Sequence, residues 1–258
     1  MLETSKKLQL CVLENKLNQN KFNPRPWMML VIRSLLFFVF QTTIGLIFLQ
    51  NNLSSLWDGS AAWWPFSIIL TDLIGLVLLT HFYRQEGKRY WDVFRVERQH
   101  IKKDLLFMLG FLILLGPIGF LPNILSAQLL FGDPQIALDL LVRPLPMWAA
   151  ILSFLAFPLL QGIVEIPTYM LYVLPRLEKQ DIRPLLAITL TGFFLSAQHI
   201  FAPFIPELRF ITYRLVMFLP FAFLIAIVMR WRPRLMPFFA IIHVLMNMSI
   251  AVMLLLVM

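Results

Sequence analysis

Seven long apolar runs, separated by short polar stretches, dominate this 258-residue chain. They cover approximately residues 27–49, 61–83, 104–130, 145–174, 184–201, 210–229 and 235–258. A helix needs about 20 apolar residues to cross the hydrocarbon core of a bilayer. Backbone groups without water must bond inside their own segment, which leaves helix as the structure for runs of this length. The expected fold is an all-α, polytopic membrane bundle of about seven transmembrane helices. Composition excludes a water-soluble globule: 59% of residues are hydrophobic and 14% charged, against roughly 25% charged in a soluble domain. The first run follows 26 mostly polar residues and precedes no small-residue cleavage site, so it reads as a span and not a signal peptide. Gly116, Pro117, Gly119 and Pro122 interrupt the third run, which is expected to be kinked or broken.

Orientation follows from where the basic residues lie. Of 22 Lys and Arg, five precede the first run (Lys6, Lys7, Lys16, Lys21 and Arg25). Seven more fall in 84–103, three in 175–183 (Arg176, Lys179, Arg183) and three in 230–234 (Arg230, Arg232, Arg234). The intervening loops hold only Arg143 and Arg209. Basic loops stay on the cytoplasmic side, so the N-terminus is predicted cytoplasmic and the C-terminus outside. Residues 1–26 would form a polar cytoplasmic arm, 27–144 the leading helices and 145–258 the core carrying the functional residues. The net charge of +8 is spread between apolar runs with no basic, aromatic-studded soluble face, so nucleic acid is not an expected partner. The single Cys11 permits no intrachain disulfide. Trp57, Trp63, Trp64, Trp91 and Trp148 lie near run ends, where an aromatic belt belongs. The many Phe and Met are expected to face lipid.

Ionisable groups inside spans are costly and mark functional sites by default. Arg33, Asp72, Glu165, His199, Arg214 and His243 are the candidates, with Gln41, Gln161, Gln198 and Asn247 beside them. Arg33 is near enough to the cytoplasmic interface to snorkel, Arg214 can reach outward or pair with Glu207, and Asp72 has no evident partner. His243 and Asn247 are four apart and share a helix face. Taken alone, such a pair reads as hydrogen-bonding glue between helices, as does Gln198-His199. Glu165 is harder to dismiss. Pro167, two residues on, frees a backbone carbonyl and opens the helix, and a carboxylate sharing a wet pocket with imidazoles can activate water. By helix rise, His199 falls deeper than Glu165 and His243. A zinc site on Glu165, His199 and His243 is conceivable, but no His-Glu-x-x-His pattern supports it. Neither metal nor cofactor is expected.

Glu165-Ile-Pro-Thr-Tyr-Met-Leu-Tyr-Val-Leu-Pro-Arg-Leu177, Leu-Ser-Ala-Gln-His199 and His243-Val-Leu-Met-Asn247 resemble, in order, the three motifs of the CPBP family. These are intramembrane proteins related to type II CAAX prenyl endopeptidases and to bacteriocin-immunity and abortive-infection proteins. The resemblance covers roughly 145–258. Ile166 stands where that family's second Glu would be, Met170 where its Arg would be, and Leu195 in place of a Phe.

The resemblance implies a metal-independent endopeptidase acting on a peptide or membrane-protein substrate. Glu165, aided by His199, would deprotonate a water, while His243 and Asn247 would donate hydrogen bonds to the oxyanion. Ile166 and Met170 point the other way, to a relative that has lost catalysis and serves as a binding, immunity or assembly partner. A proton-coupled transporter would predict inverted repeats, which the sequence lacks. The resemblance further implies a multi-pass protein of a prokaryotic plasma membrane.

Overall fold

The computed structural model describes residues 22–52 and 55–257. Most of the polar arm, including Cys11, Lys6, Lys7, Lys16 and Lys21, lies outside them. Seven helical spans follow one another: Arg25–Gln50, Trp64–Gln85, Ile101–Phe131, Met147–Glu178, Pro184–Phe201, Leu208–Trp231 and Pro233–Leu256. Among the described residues there is no strand. The chain is an all-α helical bundle and a multi-pass membrane protein.

Proline shapes the fourth span. It runs as an α-helix over Met147–Ile166, widens into a π-helix over Pro167–Val173 and closes as an α-helix over Leu174–Glu178. Pro167 has no N–H to give the carbonyl of Ile163, four residues earlier, so that carbonyl must find another donor in a dry environment. Tyr90, from the short 3-10 helix Tyr90–Phe94, donates its hydroxyl to it. Pro175 frees the carbonyl of Leu171 in the same way. That carbonyl accepts from the Tyr83 hydroxyl at 3.0 Å and from Arg176 Nη1 at 3.1 Å. Both breaks are thus repaired by side chains from the basic end of the bundle.

The third span is not broken. Ile101–Phe131 is one helix of 31 residues with Pro117 and Pro122 inside it. The sequence of helix breakers does not split it, because each proline removes one bond of a long ladder while the neighbouring bonds persist. It is also the span least covered by protein.

Lipid is as apolar as leucine, so helices in a bilayer associate through close packing and polar bonds, not through burial of oily surface. Gly162 lets the fourth and seventh spans touch: a Cβ there would run into the Val244 side chain and approach the Ala240 carbonyl oxygen to 3.1 Å. Gly75 does the same for the second span against Val164. Several large apolar side chains expected to face lipid instead fill the interior, among them Phe37, Phe157, Phe239, Met29 and Met170. Trp91 and Trp148 are exposed as a belt requires, whereas Trp64 is buried and its Nε1 donates to the Leu141 carbonyl at 2.9 Å.

Candidate functional site

Glu165 occupies the last full turn of the fourth span's first α-helix, immediately before the π-helix. Insertions of this kind in a regular helix recur at functional positions, because they turn a side chain out of register. Glu165 is buried, and three side chains from two other spans converge on it. His243 Nε2 lies 2.9 Å from Oε2. On the other oxygen, Gln198 Nε2 donates to Oε1 at 2.5 Å, and His199 Nε2 stands 3.6 Å away.

The imidazole tautomers follow from their neighbours. His199 Nδ1 faces the carbonyl oxygens of Leu195 at 3.0 Å and Ser196 at 3.2 Å. Carbonyls only accept, so Nδ1 carries the proton and Nε2 keeps its lone pair. That lone pair confronts a carboxylate oxygen, itself an acceptor, across a gap slightly too long for a direct bond. The gap is too narrow for a water between the two, but a water beside them, on the cavity face, lies within hydrogen-bond reach of both and has two protons to give. For His243 the assignment reverses: its Nε2 donates to Glu165, and Nδ1, buried without a partner among the described residues, is the less costly unprotonated acceptor.

Glu165, His199, His243 and Asn247 line one cavity of about 690 Å³, together with Arg214 and Ile166. The four residues singled out in the sequence therefore meet at one place. Helix rise no longer separates Glu165 from His199 in depth. The fourth span continues to Glu178, which sets Glu165 about 20 Å from the basic end by helix rise, close to the about 22 Å of His199 counted from Pro184. Asn247 differs from its sibling groups, since its Nδ2 donates to the carbonyl of His243 at 2.9 Å.

Behind the cavity lies a second layer. Arg33 is buried, not snorkelling, and each of its three guanidinium nitrogens is engaged. Nη1 meets Asp72 Oδ1 at 2.5 Å, Nε donates to Gln198 Oε1 at 2.7 Å and Nη2 to Gln161 Oε1 at 3.0 Å. Asp72 thereby has the partner its sequence position did not reveal. Two opposite charges in the first two spans were the available signal, because lipid tolerates each only beside the other.

Arg214 likewise neither reaches the outer face nor pairs with Glu207, which binds Arg209 at 2.7 Å. Its Nε donates to the carbonyl of His199 at 2.9 Å and its Nη2 to that of Ala202 at 2.5 Å. Arg214 thus caps the end of the fifth span, whose final turn Gln198–Phe201 is a 3-10 helix. Capping that turn holds His199 against the cavity.

Ile166 and Met170 are both buried, and Ile166 borders the cavity. Among the described residues no group of three or more His, Cys, Asp or Glu is arranged to hold a metal ion. His243 directs its Nε2 at the Glu165 carboxylate itself and not at a point the two share.

The fold and site define a class: a seven-span helical membrane protein with a glutamate held by a histidine and a glutamine, and faced by a second histidine, at the wall of an internal cavity. Compared with known proteins, the chain matches no family model, no curated sequence and no solved structure.

Proposed function

We propose that this protein is a metal-independent intramembrane endopeptidase of CPBP type, hydrolysing a peptide or membrane-protein substrate with a water activated by Glu165 and His199. One observation carries the reading: two groups that both accept hydrogen bonds, Glu165 Oε1 and His199 Nε2, face each other at 3.6 Å beside a cavity of about 690 Å³. A water held there donates to both and points its oxygen lone pair outward. Either base then takes a proton as the oxygen attacks a carbonyl in the cavity, and returns it to the amine nitrogen as the C–N bond breaks.

His243 stabilises Glu165 in the resting arrangement. Asn247, four residues on along the same face, supplies an amide for the developing oxyanion; one well-placed donor of this kind is worth about 3 kcal/mol. Arg214 adds positive charge at the same wall. A membrane-embedded cavity favours substrates that partition into lipid, in keeping with the prokaryotic plasma-membrane setting that the motif resemblance implies.

A second reading retains the fold without the chemistry. Buried Ile166 and Met170 replace the second Glu and the Arg of the resembled motif, as expected of a binding, immunity or assembly partner. The two are separated by substituting Glu165→Gln and His199→Ala and comparing the sizes and new N-termini of membrane proteins in native membranes. Loss of the same fragments in both variants supports hydrolysis. Fragments unchanged in both, with each variant folded and inserted, remove it.

A further inference from the structure

We infer that Gln198 and Arg33, the latter fixed by Asp72, are positioning residues that hold the Glu165 carboxylate facing the cavity. The inference rests on the hydrolytic reading of that site but concerns groups the cavity does not touch.

The chemistry of the chain Asp72–Arg33–Gln198–Glu165 admits only one sense. A carboxylate accepts and never donates; a guanidinium donates and never accepts. An amide has one end of each kind. With its Oε1 taken by Arg33 Nε at 2.7 Å, Gln198 must turn its NH2 toward Glu165, where Nε2 meets Oε1 at 2.5 Å. The Tyr169 hydroxyl, donating to the same Oε1 of Gln198 at 3.3 Å, reinforces that sense.

The guanidinium cannot rotate, because its three donor positions reach three acceptors on different spans: Asp72, Gln161 and Gln198. Direct Arg–carboxylate pairing would be bidentate and occupy both oxygens of Glu165. Placing an amide between them leaves Glu165 one N–H on Oε1 and its remaining lone pairs free for His243 and for a water that His199 can share. The first and second spans, which contribute nothing to the cavity's Glu–His–His centre, thereby set the direction of its carboxylate.

The test reads the histidine rings, which feel Glu165 whether or not a substrate is known. The chain has four His, so replacing His81 and His100 with Gln leaves only the two site rings for 15N observation in lipid nanodiscs. Two variants follow: Gln198→Met, and the paired swap Arg33→Met with Asp72→Leu, which removes a buried ion pair as a unit and so preserves the fold even if the single change does not.

The expected result is a shift of the His243 Nε2 resonance away from its carboxylate-bonded position in each folded variant. Cleavage slows about 100-fold, as for other misplaced catalytic groups. Wild-type ring resonances in both folded variants would overturn the inference and leave the chain as glue between helices. If Glu165→Gln leaves cleavage intact while these resonances still move, the hydrolytic reading fails and the positioning stands.

Discussion

Arg33 Nη1 and Asp72 Oδ1 are 2.5 Å apart, with neither side chain reaching solvent. In lipid this contact replaces hydration for two charges, and each becomes a liability once the other is gone. Asp72→Leu alone should cost about 3–5 kcal/mol, the usual penalty for stranding a buried charge. Combining it with Arg33→Met should recover most of that loss. Equilibrium unfolding in bicelles, arranged as a double-mutant cycle, checks this; additive losses in the double variant would mean that the two charges do not depend on one another.

Gly162 sits three residues before Glu165 where the fourth and seventh spans touch. A methyl group there must displace Val244, the neighbour of His243. Gly162→Ala should destabilise the bundle by about 1–3 kcal/mol, as overpacking does. It should also separate His243 from Glu165, weakening the 2.9 Å contact. A crosslinking pair placed at the two spans would register the wider spacing, and an unchanged spacing with full stability would contradict the packing assigned to this glycine.

At the basic end, Glu86 receives the two-pronged guanidinium of Arg176, Nε at 2.7 Å and Nη2 at 2.5 Å, while that guanidinium stacks over Tyr172. Partial burial works to raise the Glu86 pKa, and the Arg176 fork outweighs it, holding the carboxyl below its ordinary value. A depressed carboxylate contributes stability above its unfolded pKa, about 4.3 for Glu. That contribution is lost as pH falls through the folded value. Acidification from pH 5 should therefore weaken the protein, and Glu86→Gln should flatten that part of the profile. Thermal unfolding of both forms between pH 3 and pH 7 checks it, with parallel curves as the contrary outcome.

Hydropathy made the spans legible to within a few residues, because lipid demands a fixed length of apolar helix from each. Glu165, His199, His243 and Asn247 were also visible, since a polar group in such a run has few innocent explanations. What escaped was everything that depends on which spans are neighbours. Arg33 and Asp72 look like separate anomalies until the first two helices lie side by side. Arg214 looked like a surface group because nothing local shows the bare carbonyls of His199 and Ala202 waiting at the end of the fifth span. The third helix survived its prolines because the cost of a lost bond is set by the whole ladder, not by the residue. Depth was misjudged for a local reason: Pro175 looks like a stop, yet Tyr83 and Arg176 satisfy the carbonyl it frees and the helix continues another turn.

Arg33 and Arg214 bring two formal positive charges to the middle of the protein, and Asp72 and Glu165 bring two negative ones. An elementary charge carried through a 100 mV gradient is worth about 2.3 kcal/mol, so an unbalanced set would tie the bundle's assembly to the energised state of the cell. Because these four cancel in formal charge, moving them together along the field does no net electrical work. Removing the Glu165 charge alone would leave the polar interior with one uncompensated positive charge.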